Sequence, residues 1–343
     1  MKYPPQMRRF SKRSALCIAV AIALLSIGFD YWMQPTSQRL HMGAEYYNVG
    51  LALADGRGFS DPFGEPSGPT AWMAPVYPGL LAILISVLGS KARVATAVVV
   101  LMTVSLVVQA LTVHAIARRT ARQLRPAWGV AIYLAWVTAF YYWFFLLTSD
   151  VWLLSLIVSL ITLASVRYLL DQTMRPWVWG VLGGVSALTS PALGSAWACL
   201  VGLFLLRSSR HRRKWLGAAA IAVCLAAPWT ARNALVFHKL IPTKSNLMFE
   251  AYQANVVDSD GIYDLSSMLP HPYNVPKLRF EYAKLGELAF VEKYGRLFRQ
   301  QLRSHPTHIL RRVGNRAVAA TVKYIPLATS LEIGSEFVAL RIV

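Results

Sequence analysis

The sequence predicts an all-α, polytopic membrane protein. Several uncharged runs approach twenty residues, and 55% of the chain is hydrophobic against only 15% charged, which is more apolar sequence than a soluble core needs. Two polar stretches, 33–93 and 234–310, are too rich in turns and carboxylates to be plain connectors. The formal charge of +19, from 35 Lys and Arg against 16 Asp and Glu, does not point to nucleic acid. The basic residues sit mostly beside apolar runs, where anionic lipid and the cytoplasmic preference of Lys and Arg account for them, and no nucleic-acid-binding motif accompanies them. Cys17, Cys199 and Cys224 all lie inside apolar runs, so none belongs to a loop disulfide framework or a metal motif.

Taken in order, Lys2, Arg8, Arg9, Lys12 and Arg13 precede an uncharged run over 14–29. Asp30-Tyr31-Trp32 follows in place of small cleavage-site residues, which predicts an uncleaved signal anchor with its N-terminus in the cytoplasm. The loop 33–93 is then extracytoplasmic. The apolar run Pro75 to Leu88 is about fourteen residues, too short for roughly 30 Å of hydrocarbon. If it crossed, the long run Val94 to Ala117 would carry Arg118, Arg119, Arg122 and Arg125 to the outer face. A helix lying in the outer interface avoids this. Ala127 to Leu147 then returns outward, Asp150 emerges beside the first loop, and Val151 to Leu170 goes back in.

The uncharged stretch Trp177 to Leu206 is thirty residues, long for one span and short for two. Arg175 precedes it and Arg207, Arg210, Arg212, Arg213 and Lys214 follow it, so both ends favour the cytoplasm. Two short helices hinged at Thr189-Ser190-Pro191 satisfy that constraint. Trp215 to Ala231 leads out to a second extracytoplasmic region, with turn signals at Asp258-Ser259-Asp260-Gly261 and Leu269-Pro270-His271-Pro272. Leu285, Leu288, Phe290, Val291, Tyr294, Leu297 and Phe298 then predict a surface helix within 277–304. A last apolar segment, Ala317 to Leu331, is interrupted by Lys323 and Pro326 and spans weakly if at all. The expected organisation is a membrane module over 1–232 that includes the first outer loop, an extracytoplasmic region over 233–310, and a short C-terminal segment over 311–343. The expected location is the inner (plasma) membrane.

The outer face collects the acids Glu45, Asp55, Asp61, Glu65 and Asp150. Ala44, Tyr47, Leu51 and Ala54 recur at helical spacing, which places Glu45 near a helix start. A carboxylate at an apolar boundary gains proton affinity and suits a general base; a helix-start acid favoured by the macrodipole is the plain alternative. Asp150 is equally readable as the N-cap of the helix it precedes, and Asp55 and Asp61 as turn residues. Arg57 between two glycines, Arg232 after Pro228-Trp229, and Lys244 are cations where the positive-inside rule disfavours them. They suit phosphate binding, or interfacial anchoring to lipid head groups.

An early acid in the first loop, then Leu53-Ala54-Asp55-Gly56-Arg57-Gly58-Phe59-Ser60 and Gly68-Pro69-Thr70-Ala71-Trp72-Met73-Ala74-Pro75-Val76-Tyr77-Pro78, resembles bacterial relatives of the dolichyl-phosphate-mannose protein mannosyltransferases, in the GT-C superfamily. Gly183 to Pro191, Ala227 to Asn233, Leu285 to Ala289 and Ser304-His305-Pro306 continue the resemblance over most of the chain. It implies a GT-C-type helical bundle and transfer of a sugar, with inversion, from a polyprenyl-phosphate-linked donor to an acceptor hydroxyl on a lipid, glycan or protein. By the same resemblance Glu45 is the catalytic acid of the first loop. Asp150 is the acid of the second short loop, which shapes the site or binds a divalent metal where one is used. Arg57, Arg232 and Lys244 are assigned to the polyprenyl phosphate, and Tyr46 and Asp61 join them as substrate-binding residues. Relatives more often carry aspartate at the position of Glu45, and usually continue through further spans beyond the position of Val343. A non-catalytic membrane protein that binds lipid-linked sugar or scaffolds glycan assembly is the alternative of a different class; donor binding without transfer selects it.

With Pro75 to Leu88 in the outer interface, Lys91 is expected to react with a membrane-impermeant amine reagent on intact cells. Protection of Lys91 would place that run across the bilayer.

Overall fold

The computed structural model describes residues 42–120, 150–207, 210–257 and 270–322, with scattered positions between 16 and 28 and at 129, 130 and 133. Most of the predicted anchor over 14–29, the predicted span over 127–147, the turn at 258–261 and most of the segment 317–331 lie outside the described residues. The described residues are helical apart from turns, and the one strand-like feature among them is an isolated antiparallel bridge between Ser60 and Pro69.

In chain order the helices are α1 (Ala44–Ala54), α2 (Val76–Leu88), α3 (Lys91–Thr120), α4 (Val151–Asp171), α5 (Pro176–Thr189) and α6 (Pro191–Arg207). They continue with α7 (Arg212–Phe237), α8 (Leu247–Tyr252), a π-helical turn at Gln253–Val257, α9 (Pro276–Leu285), α10 (Glu287–Ser304) and α11 (Pro306–Val322). Proline opens α5, α6, α9 and α11, where its missing N–H is no loss and its fixed φ already suits a helix. Contacts divide the chain into two compact units, one holding 84–228 and the other 44–83 with the described residues from 229 onward. Residues 44–83 therefore group with the later polar region, although the sequence reading grouped them with the membrane module.

Among the described residues α3, α4 and α7 are long and apolar enough to cross a membrane. At 1.5 Å per residue α4, with 21 residues, reaches about 31 Å. The 13 residues of α2 reach only about 20 Å, short of the hydrocarbon core, as its length in the sequence predicts. Val100, Val104, Val158, Leu169, Leu170, Val223 and Leu225 are exposed, as are Cys199 and Cys224. Apolar side chains turned outward along long helices suit a lipid solvent and not water.

The interior of the first unit is aromatic. Trp215 meets Tyr168 and Trp179 edge-on and stacks on Phe204 at 4.9 Å, with Ile157, Ile161 and Val201 around them. Buried polar groups join α3 to α4: Gln109 donates to Ser105 (3.0 Å) and accepts from Ser155 (3.2 Å), and Ser105 donates to the Trp152 carbonyl (3.3 Å). Arg119 pairs with Asp171 at 3.1 Å. The expected hinge is present, with Ser190 extended at φ −151° between α5 and α6. Glycine permits this packing. A Cβ at Gly183 would lie 2.4 Å from the Trp197 ring, at Gly180 2.5 Å from Ile221, and at Gly184 2.7 Å from Leu225.

The second unit is built on Val49, Phe59, Phe63, Trp72, Met73, Phe249, Tyr282, Phe290, Val291 and Tyr294. Three findings differ from the sequence reading. The helix expected within 277–304 is two helices, because Gly286 takes φ 76° and ψ 159°, which no helix accommodates. The buried side of α1 is Val49, Gly50 and Ala52, not the Ala44, Tyr47, Leu51 and Ala54 series; Gly50 lets α1 approach Leu81 and the Pro78 carbonyl. Finally, α7 runs on to Phe237, so Arg232 stands inside a helix and not in a loop after one.

Gly183→Ala is expected to lower the melting temperature of the detergent-solubilised protein, through overpacking on the order of 1–3 kcal/mol. Gly202→Ala, where a Cβ meets nothing within 4 Å, should be neutral or slightly stabilising in the same assay.

Candidate functional site

Glu45 occupies the first turn of α1, where unpaired backbone N–H groups favour a carboxylate. Two ring nitrogens close on it from separate segments. One is the indole of Trp72, which hydrogen-bonds the carboxylate. Trp72 is almost fully buried, and its backbone N–H is held by the Thr70 hydroxyl at 2.9 Å. The other is His271, whose Nε2 lies 3.3 Å from Glu45 Oε1.

His271 is fixed by its own short segment. Gln253 donates to the Pro270 carbonyl at 3.0 Å, and the His271 carbonyl accepts from Asn274 and Val275 at 2.9 Å. Arg279 donates to the carbonyls of Pro272 (3.2 Å) and Tyr273 (3.1 Å) and pairs with Glu65 at 3.0 Å. Around the imidazole stand Phe63, Trp72 and Phe249, all edge-on with centroids 5.6 to 5.9 Å away. Phe63 continues the box to Tyr282 at 4.8 Å.

This apolar setting changes both titrations. Burial, reinforced by the nearby Glu250 charge, raises the Glu45 carboxyl to about 7, while Lys244 and the Trp72 hydrogen bond draw it back down. Burial lowers His271 to about 4, so its ring is neutral at pH 7. Glu45 is therefore poised near neutrality with a fifth of its side chain exposed. Lys244 pairs with Glu250 at 3.4 Å, and Asn246 donates to the same Glu250 oxygen at 2.6 Å. Tyr46, next to Glu45, packs edge-on against Tyr77 at 5.2 Å.

The other expected residues divide differently. Asp61, at φ 56°, is a turn residue whose carboxylate accepts from the backbone of Ser67 (2.8 Å) and Gly68 (3.1 Å) and from the Ser60 hydroxyl (3.2 Å). Arg57 pairs with Asp61 and with Asp55, the latter at 3.1 Å. Arg232 donates to the carbonyls of Thr70 (2.7 Å) and Phe59 (2.9 Å) and to Asn233 (2.9 Å), with Phe59, Trp229 and Phe237 around its guanidinium. That is a structural clamp. Asp150 belongs to the first unit, is buried, and occupies the N-cap of α4 without a side-chain capping bond. Among the described residues no group of three His, Cys, Asp or Glu side chains converges as a metal site.

His271, Trp72 and Glu287 had no assigned role in the sequence. His271 lay between prolines in a turn signal, and Glu287 in a quoted motif with no function attached. Glu287 is buried and accepts from Thr70, from the Ala71 backbone at 2.8 Å and from the Tyr282 hydroxyl at 2.7 Å.

Comparison with protein-family models, with curated proteins and with solved structures finds no match to this chain.

Glu45 imposes a pH-dependent cost on the fold. The unfolded chain loses this proton near 4.5 and the folded one near 7, so stability falls as pH rises across that window, and the loss persists above it. His271 acts oppositely at lower pH: its contribution is present above 6.5 and is lost as pH falls toward about 4. Glu45→Gln is expected to raise the melting temperature at pH 8, by the equivalent of about 1–3 kcal/mol, with the gain shrinking toward pH 4.5. Melting curves of native and variant protein across pH 4.5–8 measure it.

Proposed function

We propose that this chain is a multi-pass inner-membrane glycosyltransferase of the GT-C type, with a cytoplasmic N-terminus, which moves a sugar from a polyprenyl phosphate to an acceptor hydroxyl at the outer face. The observation that carries the reading is the environment of Glu45: a partly exposed carboxylate, shifted to about 7, with the Trp72 indole and the His271 ring against it, at the sequence position where the resemblance expects the catalytic acid. The long apolar helices and the polar second unit support the membrane setting.

In the reaction Glu45 accepts the proton of the acceptor hydroxyl. The acceptor oxygen forms a bond to the anomeric carbon on the face opposite the phosphate. The bond from that carbon to the phosphate oxygen breaks, and the electron pair leaves with the polyprenyl phosphate. A base titrating near 7 is half ionised at neutral pH and still strong enough to take a developing proton. Of the three cations assigned to the phosphate, Lys244 is the one that acts electrostatically on Glu45, and it neutralises the leaving group in this mechanism. Arg232 supports the site from behind, through the carbonyls it holds.

Purified protein screened against radiolabelled polyprenyl-phosphate sugars is expected to consume one donor. Glu45→Gln should lower that turnover by roughly a hundred- to ten-thousand-fold while the variant still melts cooperatively. Near-native turnover in the folded variant would remove Glu45 from the mechanism.

A further inference from the structure

We infer that His271 is the positioning residue of Glu45: a neutral imidazole, protonated on Nε2, that donates a fixed hydrogen bond to the carboxylate and does not exchange the proton with it. The inference rests on the reading of Glu45 as a base only for its consequence in catalysis; the geometry stands without it.

The tautomer follows from the two ring nitrogens. The backbone N–H of Tyr273 points at Nδ1 across 3.2 Å, so Nδ1 must offer a lone pair. The ring proton is then on Nε2, the atom 3.3 Å from Glu45 Oε1. Protonating Nδ1 would set two N–H groups against each other, and the imidazolium would lie among Phe63, Trp72 and Phe249. His271 is thus a poor proton acceptor for geometric reasons. A proton gathered by Glu45 has no path onto the ring and must leave through the exposed edge of the carboxylate.

The ring cannot easily turn to escape this arrangement. Three aromatic neighbours bound it, and the backbone on either side is tied by Gln253 and by the Arg279 guanidinium. The other ionisable groups acting on Glu45 are Lys244, in the segment before α8, and Glu250 on α8, which have opposite signs and pair with each other. The donor bonds from His271 and Trp72 are what remain to hold the ionised carboxylate in one orientation.

A hydrophobic carbodiimide, which modifies protonated carboxyls, reads the proton on Glu45 without any substrate. Modification of Glu45 in full-length protein in detergent is quantified by peptide mass spectrometry from pH 5 to 9. His271→Phe keeps an aromatic ring but has no N–H, and is expected to move the modification midpoint up by about one pH unit, a tenfold gain in proton affinity. His271→Gln, which retains an N–H donor, should lie between Phe and native. Equal midpoints for native and Phe proteins would reduce His271 to packing and overturn the inference. Should the Phe variant fail to fold, His271→Leu, which also lacks an N–H, replaces it under the same criterion: a raised midpoint supports the donor role and an unchanged one overturns it. Failure of the base assignment is read separately, as transfer by Glu45→Gln, and leaves these midpoints unaffected.

Discussion

The second unit depends on the buried carboxylate of Glu287. It receives the Thr70 hydroxyl, the Ala71 backbone N–H and the Tyr282 hydroxyl, and so joins a loop near the start of the chain to the junction of two helices near its end. A carboxylate without partners at this depth would be strongly unfavourable, so the three donors and the charge of Arg232, which acts on the same group, make the arrangement self-consistent. Arg232 then holds the carbonyls of Phe59 and Thr70 from the opposite side. Thr70 is gripped by both, and through its hydroxyl it sets the backbone of Trp72, whose indole reaches Glu45. Glu45 is placed by a structural carboxylate that never touches it.

This arrangement explains why two acids of similar sequence context behave differently. Glu287 is fully engaged with short-range donors and serves the fold. Glu45 lies against the Trp72 indole and the His271 ring in an apolar box, remains partly open, and has its proton affinity raised toward neutral pH. Arg57 and Asp61 show a third outcome, an ion pair between an exposed guanidinium and a buried turn carboxylate in the loop that also holds Phe63 and Trp72.

Much of the architecture was legible because hydrophobic run length and charge flanks are strong signals. The short helix over 76–88, the hinge at Ser190 and the helix from Val151 all follow from them. Glu45 at a helix start was also readable from local spacing. The break at Gly286 was not, since the apolar periodicity continues across it and only a positive φ reveals it. The close approach of α1 to α2 was not readable, because Gly50 carries no hydrophobic signal and it is its missing side chain that admits α2. His271 and Glu287 acquire their roles from partners more than 200 residues away in sequence, a distance at which no local pattern speaks. The acceptors of Arg57 and Arg232 were not readable from their sequence neighbours, which are turns and aromatics: Arg57 pairs with Asp55 and Asp61, and Arg232 with the Phe59 and Thr70 carbonyls.

The separation of Thr70 from Glu287, 217 residues, also constrains biogenesis. At about 5–20 residues per second, a ribosome takes roughly 10–40 s to supply the second partner after the first has emerged. Throughout that interval the nascent loop around Phe59, Phe63 and Trp72 lacks the cover of Phe290, Val291 and Tyr294. A holding factor, or the membrane surface itself, must shelter those side chains until synthesis reaches Glu287.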